Sequence, residues 1–146
     1  MPNTQLYSFV PTDLSLGEAS FRPSLPLNLV HQQNSVTVSG LLDTGASVNV
    51  LPYLVGIELG YIWEQQTTSL NLTGNLSQYQ ARAVLIQAIV GEFKPVKLVF
   101  AWTQATHIPI ILGQVNFFIE FDVCFYRSAF QLAHLILPHN AIKIFW

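Results

Sequence analysis

The chain reads as an all-β domain carrying one or two short helices, and three observations point there. Apolar and polar residues alternate in several stretches, most clearly at Leu25, Leu27 and Leu29 and again at Val36 and Val38. The most apolar runs, residues 83–90 and 97–102, are short and rich in β-branched side chains, as buried strands are. Helical spacing is confined to two brief stretches near residues 53–60 and 114–121.

Taken in order, residues 1–24 mix Pro, Ser and Thr with isolated apolar residues and form an N-terminal arm, loose or draped on the domain that follows over 25–146. Residues 25–29 are a half-buried strand, 32–35 a polar turn, and 36–40 the returning strand of a hairpin that delivers the chain to Asp43. Pro52 before and Gly60 after bracket a short helix over 53–60. Residues 65–72 alternate weakly towards the turn Thr73-Gly74-Asn75, and 77–90 return as a long strand, so this pair reads as a projecting hairpin. Gly91-Glu92 turns the chain into a strand carrying Val96, Leu98 and Phe100 on one face, and Pro95 places its start at a sheet edge. Residues 102–107 read as a loop and 108–112 as a very apolar strand. Val115, Phe118 and Ile119 mark the second short helix. Residues 122–126 and 130–137 are expected to pair as a hairpin, and 141–146 form the last strand.

At 146 residues the chain is one domain with enough length to bury a core. Apolar residues make up 51% and charged residues 10%, against a usual charged share of about 25%. So thin a charged coat suggests that part of the surface is covered by a second copy. Six Lys and Arg, scattered at net charge −2, offer no basic patch for nucleic acid. No window reaches the roughly 18 apolar residues of a spanning helix. One cysteine, Cys124, rules out an intrachain disulfide and fits a reducing, cytoplasmic setting. The sequons at Asn71 and Asn75 are read as chance matches.

Residues 41–52, LLDTGASVNVLP, stand out. The chain has only three aspartates, Asp13, Asp43 and Asp122, and Asp43 lies between two apolar segments. A carboxylate in such a place costs several kcal/mol, about 2–7 for an unpaired polar group, unless bonds or function account for it. Gly45 gives the backbone freedom to turn and lets another chain approach. Thr44 adds a hydroxyl able to bond a neighbouring backbone. Asp-Thr-Gly also serves as an ordinary turn, but ordinary turns sit in water rather than between apolar runs.

The acid loop Asp43-Thr44-Gly45-Ala46-Ser47, together with the downstream Ile110-Ile111-Leu112-Gly113, resembles the retropepsin-like (retroviral-type) aspartic proteases. Phe117-Phe118 and Phe121-Asp122-Val123 are similar to bacterial-type members. The resemblance runs from about residue 25 to 125. It implies a closed, mostly antiparallel β-barrel, single-lobed and homodimeric, in which Ile111, Leu112 and Gly113 wedge the acid loop from behind. It also implies that Thr73, Gly74 and Asn75 tip a flap over a polypeptide substrate. Asp43 would be catalytic, supported by Thr44, Gly45 and Ala46, with no cofactor and no metal. Pockets lined by Val48, Ile86 and Ile110 would favour apolar residues beside the scissile bond.

One Asp-Thr-Gly per chain means that the second acid comes from a second copy, since this chemistry needs two carboxylates sharing a proton. Asp122, beside Phe121, has the bland explanation of a cap or surface residue. Retroviral relatives often carry Asp and Arg where this chain has Ser47 and Gln114; losing both charges together leaves neither orphaned. The interface strand would be residues 141–146 or the 121–132 hairpin. His31, His107, His134 and His139 lack carboxylates or thiolates at ligand spacing and read as structural. Trp63 and Trp146 read as anchors, and Trp102 as an anchor or a pocket wall. The competing class is a dimeric peptide-binding or assembly module on the same scaffold, against which the intact Asp-Thr-Gly-Ala counts.

Overall fold

The computed structural model describes residues 4–126 and 141–145. Its centre is a closed barrel of six strands, and the hairpin expected from the 25–40 alternation begins it. β1 (Thr4–Ser8), β2 (Val10–Pro11) and β3 (Phe21–Arg22) precede that hairpin, formed by β4 (Ser24–His31) and β5 (Asn34–Leu42). Leu25, Leu27 and Leu29 are all buried on one face of β4, as a period of two requires. The two-residue turn after His31 puts Gln32 at φ 54° and pairs His31 with Asn34.

The chain then runs through β6 (Asn49–Leu51) into helix α1 (Tyr53–Glu58), which Pro52 opens. Gly60, at φ 85°, follows its end. β7 (Ser69–Leu70) is only two residues long and pairs with the start of β8 (Ala81–Ile89). β8 forms a long ladder with β9 (Val96–Thr103), equal in length to that of β4 with β5. β10 (Ile110–Leu112), α2 (Phe117–Glu120), β11 (Asp122–Tyr126) and β12 (Ala141–Phe145) complete the described chain.

Around the barrel the order is β4-β5-β10-β6-β9-β8, and β8 returns to β4 through Asn28–Ile89, Leu29–Ala88 and Val30–Gln87. This order matches the retropepsin-like topology. Four of the six pairings around the barrel are antiparallel, as expected, and two are parallel, which makes it a mixed barrel. β10 lies parallel to β5 and antiparallel to β6, and β6 lies parallel to β9. Alternation reports which face a residue takes; it says nothing of the direction of the neighbouring strand.

The barrel is filled by Leu25, Leu29, Leu51, Ile86, Leu98, Phe100 and Leu112, with Phe117 and Phe121 packed from α2 and its end. Trp102 and Thr103 belong to β9, where a loop was expected. Trp102 is fully buried, stacked on Tyr53 and edge-on to Trp63, and its Nε1 donates to the Tyr53 carbonyl at 3.0 Å. That position removes it from the pocket-wall alternative. The wide hairpin expected over 65–90 shrinks to the β7–β8 pairing, with a 3-10 turn at Gly74–Leu76 inside the connecting loop.

A second, three-stranded sheet orders as β1-β12-β11, with both pairings parallel. Within the stretch read as an arm, Phe9 enters the main core. Gln5, with its amide oriented to satisfy both ends, accepts from the Glu92 and Phe93 N–H groups at 2.8 and 3.2 Å. The partner expected for 122–126, residues 130–137, lies outside the described residues. β12 fills the place beside β11, so both its edges are engaged within the chain.

Candidate active site

The strands that flank Asp43 do not bond each other. β10 passes between β5 and β6, pairing Leu112 with Leu42 on one side and Ile111 with Val50 on the other. The 43–48 loop therefore arches over the end of β10 and is tied repeatedly to that end and to the residues that follow it. The Asp43 N–H donates to the Leu112 carbonyl at 3.0 Å, Gln114 N–H to Ala46 O at 2.9 Å, and Val115 N–H to Ser47 O at 2.8 Å. The Gln114 side-chain amide donates to the Thr44 carbonyl. Gly113 admits this approach because it has no side chain: a Cβ there would lie 2.6 Å from the Val48 carbonyl oxygen and 2.8 Å from that of Ala46.

Within the loop, one Asp43 carboxylate oxygen accepts the Gly45 N–H at 2.9 Å, and the Ala46 N–H donates to the Asp43 carbonyl at 3.1 Å. A carboxylate that accepts a backbone N–H two residues on forms the Asx-type turn for which Asp is suited. Asp43 itself is half-buried, while Thr44 and Gly45 are exposed.

Asp43 opens onto a recess of about 200 Å³, also lined by Ser47, Val48, Val50, Leu72, Leu76 and Ile111, with Asn71 and Thr73 at its polar side. The apolar wall continues inward as a small cluster of Val50, Leu72, Ala81 and Ala101. Of the residues singled out from sequence, Asp43, Gly45, Ala46, Thr73 and Ile111 meet at this recess. Leu112 and Gly113 lie beneath it and hold the loop through their backbone, and Thr44 stands beside it with its carbonyl held by Gln114. Gly74 and Asn75 do not line the recess; Leu72 and Leu76, on either side of them, do.

Two of the three expected pocket residues are elsewhere. Ile86 and Ile110 are buried in the barrel core, whereas Val48 lines the recess. Ile111, one residue on from Ile110, has the opposite face of β10 and takes the pocket position.

Sequence reasoning missed Asn49. It is fully buried at the start of β6; its Oδ1 accepts the Gly113 N–H at 2.8 Å and its Nδ2 donates to the Val99 carbonyl at 3.0 Å. The available signal was an amide between Val48 and Val50 in an otherwise apolar run. Asn116, the residue before α2, assists: its Oδ1 accepts the Val99 N–H at 2.5 Å. Among the described residues no three His, Cys, Asp or Glu side chains converge on a common point, and no helix is long and apolar enough to cross a membrane.

No protein-family model matches this chain, and no curated protein matches it. Among solved structures it is similar to the EIAV protease complexed with the inhibitor HBY-793, at 23% identity and a TM-score of 0.46 over 63% of this chain and 81% of that one. It is also similar to a retropepsin-like aspartic protease from Rickettsia conorii, at 20% identity and a TM-score of 0.44 over 62% of this chain and 67% of that one.

Proposed function

We propose that the chain is an aspartic endopeptidase whose active site forms between the Asp43 carboxylates of two copies, in a retropepsin-like homodimer of the bacterial type. The observation that carries this reading is the placement of Asp43. It is half-buried at a recess lined by both polar and apolar groups, on a loop tied by four backbone and side-chain bonds to the end of the strand that passes behind it and to the two residues Gln114 and Val115 beyond. A plain surface turn needs no such fastening.

Two carboxylates brought close together share one proton, because both cannot be ionised at once. The ionised Asp43 takes a proton from a water, whose oxygen attacks the scissile carbonyl carbon. The protonated Asp43 of the other copy gives its proton to the carbonyl oxygen, so the tetrahedral diol forms without a covalent enzyme intermediate. Return of a proton from one carboxyl to the leaving nitrogen, and of the diol proton to the other, breaks the C–N bond and regenerates the pair. The exposed Thr44 and Gly45 leave room for the second loop. Asn71–Thr73 and Leu76 would cover an extended substrate, whose apolar side chain enters against Val48, Val50 and Ile111. Cys124 is a free thiol, in keeping with a cytoplasmic setting.

The test combines sedimentation with incubation in a mixed peptide pool between roughly pH 4 and 7, so that the protonation state of the pair is varied. The expected result is a particle of twice the chain mass and cleavage that a statine-type inhibitor stops. Asp43→Asn should remove cleavage and leave the dimer intact; residual turnover by D43N removes Asp43 from the mechanism. A dimer with no inhibitor-sensitive cleavage at any pH is a peptide-binding module instead.

A further inference from the structure

Four hydrogen-bonding groups lie in series between β9 and Asp43. The Val99 carbonyl accepts from Asn49 Nδ2, and Asn49 Oδ1 accepts from the Gly113 N–H. That N–H belongs to the same peptide plane as the Leu112 carbonyl, which accepts from the Asp43 N–H. One rigid planar unit therefore has its nitrogen end held by Asn49 and its oxygen end holding the acid. We propose that Asn49 is a positioning residue of the acid loop, fixing the tilt of the Leu112–Gly113 peptide and, through it, the height of Asp43. This inference rests on the aspartic endopeptidase reading for its kinetic arm and on the bond geometry alone for its structural arm.

Three features single out this role from ordinary core packing. Asn49 is fully buried, and an amide is costly there unless both its ends are bonded. Its two partners belong to β9 and to the turn after β10, so truncation orphans a carbonyl on one element and an N–H on another. The dipoles of the series point the same way, and bonds so aligned strengthen one another. The far end is fixed independently, because Asn116 takes the Val99 N–H that Asn49 leaves. The series thus runs from an anchored strand to the acid.

The chemistry of an amide also explains why Asn rather than a hydroxyl or a carboxyl stands here. A donor and an acceptor must be presented at once, in one plane, at every pH. Ser is too short to reach both partners. An ionised carboxyl presents two acceptors, one of them facing the Val99 carbonyl. A protonated carboxyl has one donor and one acceptor and can stand in for the amide.

The experiment compares Asn49→Ala and Asn49→Asp with the wild type, counting active sites by titration with a tight statine-type inhibitor. Misplacement of a reacting group by about 1 Å costs on the order of a hundredfold in rate. N49A should accordingly lose at least about tenfold in kcat per titrated site, with KM little changed. In N49D the ratio of kcat to wild type should climb towards one as the pH falls and the new carboxyl protonates, whereas in N49A that ratio stays flat. A purely structural Asn49 lowers the fraction of titratable sites and leaves kcat per site at the wild-type value. That outcome, or an N49D ratio flat with pH, overturns the proposal.

Amide hydrogen exchange in the folded protein supplies the arm independent of activity. In N49A the Gly113 and Asp43 N–H groups should both exchange faster relative to the core amide of Ile86. Acceleration at Gly113 alone overturns the coupling. If the wild type cleaves nothing, the endopeptidase reading fails, and exchange still decides whether Asn49 holds the acid loop.

Discussion

Gly56 lies with its backbone against the edge of the Trp102 indole. A Cβ built on Gly56 would overlap the indole Cε2 and Nε1 atoms and come within 2.8 Å of Cζ2. The ring has no retreat, since Tyr53 stacks on it at 5.6 Å, Trp63 meets it edge-on at 5.2 Å, and its N–H is engaged by the Tyr53 carbonyl. Helix propensity favours Ala over Gly by about 1 kcal/mol in a helix interior. Overpacking a filled core costs about 1–3 kcal/mol and wins here. Gly56→Ala should lower the urea midpoint followed by tryptophan fluorescence; an unchanged or raised midpoint would show that α1 can shift away from β9.

Gly113 presents the same steric problem with a different consequence. The atoms a Cβ would strike are the carbonyl oxygens of Val48 and Ala46, both in the acid loop's own backbone. Relief requires the loop to move, and with it Asp43. Gly113→Ala should cost about 1–3 kcal/mol of stability, comparable with Gly56→Ala. The two differ in turnover: G113A should lose kcat per active site by at least about tenfold, while G56A keeps it. Equal turnover in both variants would mean that the loop absorbs the methyl group without displacing the acid.

Tyr61 closes a gap in the barrel wall. β8 pairs with β7 at Ala81 and Arg82 and with β4 from Gln87 onward, and between these the Leu85 carbonyl accepts the Tyr61 hydroxyl at 2.5 Å. Burial pushes this phenol up to about 12 from its ordinary 10.0. The folded state therefore favours the neutral form, and the unfolded chain ionises first. Stability from this group is complete below pH 10 and is lost as the pH rises from there to about 12. Tyr61→Phe should cost about 1 kcal/mol at neutral pH through the orphaned carbonyl, and should flatten the alkaline decline. Tyr7, also shifted upward by burial and by Glu92, keeps its share of that decline in both proteins. Thermal melts across this range would contradict the assignment if Y61F and wild type fell in parallel.

What could be seen in the sequence was whatever one strand or one turn specifies by itself. The 25–42 hairpin, the helix after Pro52 and the loop at Asp43 all follow from local spacing and from Pro and Gly. Neighbour relations were not visible in this way. Nothing in Ile110-Ile111-Leu112 says that the strand runs parallel to β5, or that Ile111 rather than Ile110 faces the recess. β6 is buried on both faces, with Leu51 in the main core on one and Val50 packed with Leu72 and Ala101 on the other, so alternation around Val48 and Val50 does not reveal that Asn49 is buried. The polar stretch from Asn71 to Gln80 reads equally well as a strand or as irregular chain, which is why a long hairpin was expected where the structure has a loop. The parallel pairing of β1 with β12 joins the two ends of the chain and lies beyond any local pattern.

Leu76 makes the substrate side of the proposal measurable. It projects from the Gly74–Leu76 turn onto the recess, opposite Val48, Val50 and Ile111. A recess of about 200 Å³ has room for an aliphatic or an aromatic side chain, since an apolar cavity of about 150 Å³ already holds benzene. Removing the Leu76 side chain opens one wall without touching the acid loop or β10. In a hydrophobic pocket each methylene of misfit is worth about 1–3 kcal/mol in discrimination. Leu76→Ala should therefore raise the kcat/KM ratio for a Phe-containing peptide over its Leu counterpart by about tenfold or more. Both substrates should be cleaved in one competition, so that differences in active enzyme cancel. A ratio unmoved by L76A would mean that the side chain beside the scissile bond does not enter this recess.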